Sequence, residues 1–183
     1  MAACQTPFTV KHPLRGDSVP VPCGKCPACL KRRVSAWSHR LMQEEKVSSS
    51  AHFITLTYDT SNVPISRSGF MDLRKRDLQL FFKRLRFTQC SVHRGSLPIR
   101  YYACGEYGSK GRRPHYHVLL FNADYKLVQD AWNLGAVHYG SVTEASVGYT
   151  LKYMCKPKTV PMHRNDDRVP EFALMSKDWV HPI

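Results

Sequence analysis

The sequence predicts an α+β fold in which an antiparallel sheet carries its helices on one face, and two observations predict it. Segments with strand-like alternation exchange with amphipathic helical segments in the order β-α-β-β-α-β-α, of which the first six follow the split βαβ, ferredoxin-like pattern. The two middle strands are separated only by Gly108-Ser-Lys-Gly-Arg-Arg-Pro114, a glycine-rich basic turn that makes them a hairpin.

Along the chain, residues 1 to 25 contain Pro7, Pro13, Gly16, Pro20, Pro22 and Gly24 without sustained periodicity and read as irregular. Leu30, Val34, Trp37 and Leu41 then recur at helical spacing, with Lys31, Arg32, Arg33 and Arg40 mainly between them, which predicts a helix to about Lys46. The stretch His52-Phe-Ile-Thr-Leu-Thr-Tyr58 alternates and is β-branched and aromatic, as a strand should be. Asp72 is placed to cap the next helix, where Leu78, Phe81, Phe82 and Leu85 form a core-facing stripe and Lys83, Arg84 and Arg86 surround it. Pro98 to Cys104 and His115 to Phe121 are the hairpin strands. A short helix from about Asp124 to Trp132, a strand near Val137 to Val142 and a helix from about Glu144 to Cys155 complete the order. Beyond Pro157 no element is expected.

A formal charge of +13, from 27 Lys plus Arg against 14 Asp plus Glu, points to a polyanionic partner, because cations that neutralise phosphates release counterions. Nucleic acid fits better than a membrane surface: the basic clusters interrupt aromatic and polar stretches and do not line one long amphipathic face. No apolar run approaches the roughly 18 residues of a bilayer span. The N-terminus, Met1-Ala-Ala-Cys-Gln-Thr-Pro7, lacks a signal-peptide layout, so a cytoplasmic site of action is expected. Seven cysteines, an odd number, fit a reducing compartment better than a closed disulfide framework.

Chemistry concentrates in two places. In Arg113-Pro-His115-Tyr-His117 the two imidazoles stand two residues apart on a strand, so they share a face and can hold one divalent ion. Mg²⁺ or Mn²⁺ wants a carboxylate beside imidazole, and Glu106, expected at the end of the partner strand, is the nearest candidate. In Tyr149-Thr-Leu-Lys152-Tyr153-Met-Cys-Lys156, helical spacing puts two hydroxyls and two ammoniums on one arc. A metal-polarised phosphate attacked by tyrosine gives a 5′-phosphotyrosine and a free 3′-hydroxyl. Ionising a phenol of pKa near 10 at neutral pH costs about 4 kcal/mol, and Lys152 and Lys156 are placed to lower that cost.

Cys23-x2-Cys26-x2-Cys29 supplies three thiols where structural zinc needs four ligands, with Cys4 the first candidate for the fourth and His12 the alternative. A ferredoxin-type iron-sulfur site would want a further Cys where Arg33 stands. Structural zinc is therefore the expectation.

The ordered set Phe53-Ile-Thr-Leu-Thr-Tyr-Asp59, Gly105-Glu-Tyr-Gly108 with Pro114-His-Tyr-His117, and Tyr149-x-x-Lys152-Tyr153-x-x-Lys156 resembles the three motifs of HUH rolling-circle replication initiators. The two-tyrosine form is similar to the initiators of microviruses, particularly the gokushovirus branch. The segment Val21-Pro-Cys-Gly-Lys-Cys-Pro-Ala-Cys-Leu-Lys-Arg-Arg33 also resembles the amino-terminal signature of those phage proteins. The resemblance covers residues 21 to 158. It implies the HUH endonuclease fold, His115 and His117 as metal ligands with Glu106 the third, and Tyr149 and Tyr153 alternating as nucleophiles.

The expected organisation is a cysteine-rich segment and helix over 1–48, a catalytic domain over 49–158, and an irregular segment over 159–183. The expected activity is nicking and later rejoining of single-stranded origin DNA, bound over the sheet and the basic hairpin. Phosphate contacts are expected from Lys110, Arg112, Arg113, Lys83, Arg84, Arg86, Lys31, Arg32 and Arg33. No Gly-x4-Gly-Lys-Ser/Thr loop is present, so unwinding and synthesis are expected from a host helicase and polymerase. The alternatives are a transposase or relaxase using the same groups on another DNA, and a non-enzymatic zinc-containing nucleic-acid binder whose aromatics stack on bases.

Overall fold

The computed structural model describes residues 3–155 and 164–177. Phe8–Lys11 (β1) and Ser18–Val21 (β2) pair antiparallel ahead of the long helix Pro27–Val47 (α1). This corrects the irregular chain expected there. Both strands of a two-stranded sheet are edges, where a proline such as Pro20 is tolerated, and Gly16, at φ +71°, supplies the turn between them.

The main sheet contains Ala51–Thr57 (β3), Arg100–Tyr107 (β4), Pro114–Phe121 (β5), Val137–Gly140 (β6) and Phe172–Met175 (β7). Their order is β6-β3-β5-β4-β7 and every neighbouring pair is antiparallel. Strand β4 continues past Cys104 to Tyr107, which carries Glu106 into the ladder rather than leaving it at a strand end.

Helices cover both faces of this sheet, not one. Lys75–Val92 (α2) and Val128–Trp132 (α3) bury Leu78, Phe81, Phe82, Leu85 and Trp132 against Ile54, Leu56, Tyr116 and Val118. On the other face, α1 and Glu144–Leu151 (α4) bury Leu41, Val147 and Leu151 against Tyr102, Leu119 and Phe121. Successive strand residues point to opposite faces, so the continuous apolar run Val118-Leu-Leu-Phe121, all fully buried, requires two covered faces.

Two local expectations change. Asp72 does not cap α2, whose N-cap Arg74 makes no side-chain cap bond; Asp72 Oδ1 instead accepts from the Leu73 and Val169 amides, each at 2.8 Å, and lies 2.7 Å from the Tyr107 hydroxyl. These bonds hold the segment leading to β7, the edge strand that replaces the irregular tail expected beyond Pro157. In the same segment Arg168 makes a buried two-point ion pair with Asp166 at 2.8 and 2.6 Å. The expected helix from Glu144 to Cys155 starts on a Thr143/Ser146 capping box but tightens to a 3-10 turn over Lys152–Met154.

Gly135 lies where a Cβ would overlap the backbone of Thr57, Tyr58 and Asp59, at the point where Thr57 and Asp59 donate to Ala136 and Leu134. Gly135→Ala is expected to lower stability by about 1–3 kcal/mol through overpacking, read as a lower urea midpoint at unchanged slope. Among the described residues, no helix is long and apolar enough to cross a membrane.

Candidate metal and tyrosine site

His115 and His117 project from one face of β5, and Glu106, on β4, pairs directly with His115 in the ladder. Glu106 Oε1 lies 2.7 Å from His115 Nε2 and 2.8 Å from His117 Nε2. Helix α4 covers the same face, and from it the Tyr149 hydroxyl donates to that same oxygen at 2.7 Å. One carboxylate oxygen is thus the meeting point of three elements.

The electrostatics follow from this crowding. Glu106 is 5% exposed, and burial works against its charge, but hydrogen bonds from His115, His117 and Tyr149 outweigh burial and hold the carboxyl well below the usual carboxylate range. Burial likewise opposes a charged His115, yet the Glu106 carboxylate and the Arg113 carbonyl raise its pKa above the ordinary value. Burial and the bond to Glu106 push the Tyr149 phenol well above the ordinary tyrosine range. Without added positive charge, the site therefore favours carboxylate and phenol over phenolate.

The ligating atoms of Glu106, His115 and His117 all lie within 4.8 Å of one another, close enough to share one ion. Each imidazole has a partner for its other nitrogen: His115 Nδ1 is 3.2 Å from the Arg113 carbonyl, and His117 Nδ1 is 2.9 Å from Thr55 Oγ1. Such contacts fix ring orientation and direct Nε2 inward. Phe53 also stacks on His117, with ring centroids 5.5 Å apart and planes 12° apart. Thr55 and Phe53 fall within the first sequence motif, but their support of His117 depends on the β3–β5 register, in which Thr55 faces His117. Thr55→Val is expected to weaken Mn²⁺ affinity about 10–100-fold without unfolding the chain, measured by titration calorimetry.

The tyrosines are not equivalent. Tyr149 is 40% exposed and bonded to Glu106; Tyr153, in the 3-10 turn, packs its ring edge-on to that of Tyr149, with centroids 6.2 Å apart. Helical spacing alone puts Lys152 beside the hydroxyls. Its ammonium instead lies over the ring faces, 3.4 Å from the Tyr149 centroid and 5.0 Å from that of Tyr153, so it acts on the phenols through their π systems. Lys156 lies outside the described residues.

The family model for the phage replication-associated protein ORF2 matches residues 51–158, more than half of the chain. The chain belongs to that family. Replication-associated protein ORF2 of Spiroplasma virus 4 is 31% identical over 187 residues, covering 91% of this chain and 57% of the relative. Replication-associated protein VP4 of Bdellovibrio phage phiMH2K is 31% identical over 165 residues, 79% of this chain and 50% of the relative. Replication-associated protein ORF4 of Chlamydia phage 1 is 25% identical over 167 residues, 79% of this chain and 40% of the relative. The chain thus spans about half the length of these relatives. No solved structure matches it. The resemblance to phage replication proteins read from the sequence is borne out, and the matched segment contains Glu106, His115, His117, Tyr149 and Tyr153.

In this replication-associated protein the expected basic contacts divide between the two sides of the sheet. Lys31, Arg32 and Arg33 are exposed on α1, on the side of the tyrosines, and Lys110 is exposed in the β4–β5 turn beside the histidine strand. Arg112 and Arg113 in that turn are half-buried, and Arg113 Nη2 donates to the Tyr58 carbonyl at 2.6 Å. Lys83, Arg84 and Arg86 sit on α2, behind the sheet, where Arg84 bonds the Ala131 carbonyl and Arg86 the Ile99 carbonyl. A strand held at Glu106 would meet α1 and the turn first. The sheet itself, covered on both faces, offers no open platform.

Cys4, Cys23, Cys26 and Cys29 come together at the start of α1, with sulfurs within 4.8 Å of one another. His12 does not join them; its Nδ1 accepts from the Leu14 and Arg15 amides in the β1–β2 turn.

Proposed function

We propose that the chain is a two-tyrosine replication initiator of HUH endonuclease fold that nicks single-stranded viral origin DNA and later rejoins it. The observation that carries this reading is the convergence of two imidazoles and a tyrosine hydroxyl on Glu106 Oε1 in a chain of the replication-associated family.

Glu106, His115 and His117 are the residues that would hold a divalent ion, Mg²⁺ or Mn²⁺, and their mixed carboxylate and imidazole donors suit either. Such an ion supplies positive charge that polarises a scissile phosphate and offsets the Glu106 charge beside Tyr149. The chain's own groups do the rest. The Tyr149 oxygen attacks phosphorus as its proton leaves for solvent. The phosphorus bond to the 3′ oxygen breaks, and that oxygen takes up a proton to become a free 3′-hydroxyl. The 5′ phosphate stays esterified to tyrosine. Lys152, over both rings, favours negative charge developing on either phenol. Attack by a 3′-hydroxyl on the phosphotyrosine ester reverses the step and rejoins ends, and a second tyrosine lets one end be held while another is cut.

Lys31, Arg32, Arg33 and Lys110 are the proposed phosphate contacts on the site's own side. The working compartment is the bacterial host cytoplasm, where host helicase and polymerase would extend the 3′ end.

The test is cleavage of a single strand carrying the cognate phage origin, with Mn²⁺ and with chelator. Metal-dependent cleavage leaving an extendable 3′-hydroxyl is expected. Tight, metal-independent binding with no cleavage would replace this reading with a non-catalytic binder, and preference for a transposon end or plasmid transfer origin would point to a transposase or relaxase.

A further inference from the structure

We propose that Cys4, Cys23, Cys26 and Cys29 bind one zinc ion as a tetrathiolate, separate from the Glu106 site, and that this ion fastens the β1–β2 hairpin to the first turn of α1 behind the tyrosine helix.

The sulfur geometry comes first. All four thiols are free, their sulfurs lie within 4.8 Å of one another, and Cys4 Sγ is 3.9 Å from Cys26 Sγ. Four thiolates at about 2.3 Å around one tetrahedral ion stand about 3.8 Å apart. The spacing suits a single ion, and a cage of several irons between the sulfurs would hold them farther apart.

Backbone amides already point at the sulfurs, as they do where thiolate charge has to be stabilised. Cys23 N donates to Cys4 Sγ at 3.3 Å, Lys25 N to Cys23 Sγ at 3.4 Å, and Cys26 N to Cys23 Sγ at 3.3 Å. Gly24, at φ +72°, provides the left-handed step this knuckle requires. Cys26 is the N-cap of α1 and Cys29 is buried in its first turn, so both sit at the positive end of a helix. The doubly negative Zn(Cys)₄ unit would also face the cations that follow it, and the Arg33 guanidinium lies beside Gly24.

The hairpin, in turn, has little else to hold it. Every residue of β1 is exposed, and an isolated two-stranded hairpin is marginal in water. A metal that binds only the folded knuckle supplies folding free energy directly. The same helix turn touches the tyrosine segment, since Cys155 Sγ lies 3.7 Å from the Leu30 carbonyl and α1 shares a core with α4.

The test uses the full chain, expressed with zinc and dialysed against metal-free buffer. Elemental analysis should find one zinc per chain in the wild type and in a His115→Ala/His117→Ala variant, and none in Cys26→Ser. Because Cys26→Ser can also fail by misfolding, the wild type is reloaded with Co²⁺, which should give the intense visible bands and thiolate-to-cobalt charge transfer of a tetrahedral tetrathiolate. Stripping the ion should speed amide exchange across 4–30 and in 149–155. No zinc together with no cobalt–thiolate band would overturn the proposal, as would iron with a cluster spectrum, or an ion lost with the histidines and kept without Cys26. None of these readouts depends on DNA cleavage, so the proposal stands or falls apart from the nickase reading.

Discussion

Tyr149→Phe is expected to slow the first nick about 10⁴-fold or more, whereas Tyr153→Phe should leave a first covalent product and fail in rejoining. The asymmetry comes from the geometry. The Tyr149 hydroxyl is bonded to Glu106 Oε1 at 2.7 Å, while Tyr153 follows in a 3-10 turn with its ring packed against that of Tyr149. The first attack falls to the oxygen already inside the ligand cluster. Tyr149→Phe removes that oxygen and keeps the ring on which His117 and Lys152 pack, so unchanged thermal unfolding should separate lost chemistry from lost fold. Single-turnover cleavage of origin DNA and a strand-joining assay read the two variants. Equal loss of the first nick in both would contradict the assigned order.

Glu106→Gln is expected to lower nicking about 10³-fold and to weaken Mn²⁺ binding about 100-fold. Glutamine keeps the volume of the buried side chain but removes the charge on which three donors converge. Charge stabilisation by a bound metal contributes several kcal/mol to such reactions, and about 4 kcal/mol corresponds to 10³ in rate. The loss should appear in the rate of the chemical step and in calorimetric Mn²⁺ affinity together. Unchanged cleavage in Glu106→Gln would remove Glu106 from the ligand set.

Much of the site was legible because its parts are local. His115 and His117 share a face by strand periodicity alone, and the short hairpin turn brings Glu106 near them. Extension of β4 to Tyr107, which puts Glu106 inside the ladder opposite His115, was not visible, since Gly105 and Gly108 read as turn residues. Tyr149 and Tyr153 lie near each other as their spacing implies, but the 3-10 step that sets them at different depths is a tertiary effect. The same holds for Lys152, which packs on the rings because both rings stand beside it.

In the fold, the order of elements from β3 to α4 followed from periodicity, and the two-sided burial of the sheet did not. The amphipathic stripe of α1 shows that it buries a face without showing against what, although Val118-Leu-Leu-Phe121 held the clue that neither sheet face is open. Strand β7 escaped because a four-residue apolar run carries little signal, and its place is set by distant partners: the Arg168–Asp166 pair, Asp72 and Tyr107. The cysteines are the reverse case, since their spacing supplied three ligands and only the fold chose Cys4 over His12.

The most direct test of the nickase reading is mass spectrometry of the full chain after incubation with single-stranded origin DNA and Mn²⁺. The account predicts a nucleotide adduct on Tyr149 that disappears with chelator and is absent from the Tyr149→Phe/Tyr153→Phe variant. An adduct on neither tyrosine, with the strand cut nonetheless, would show that the phosphate is attacked by water and contradict the covalent mechanism.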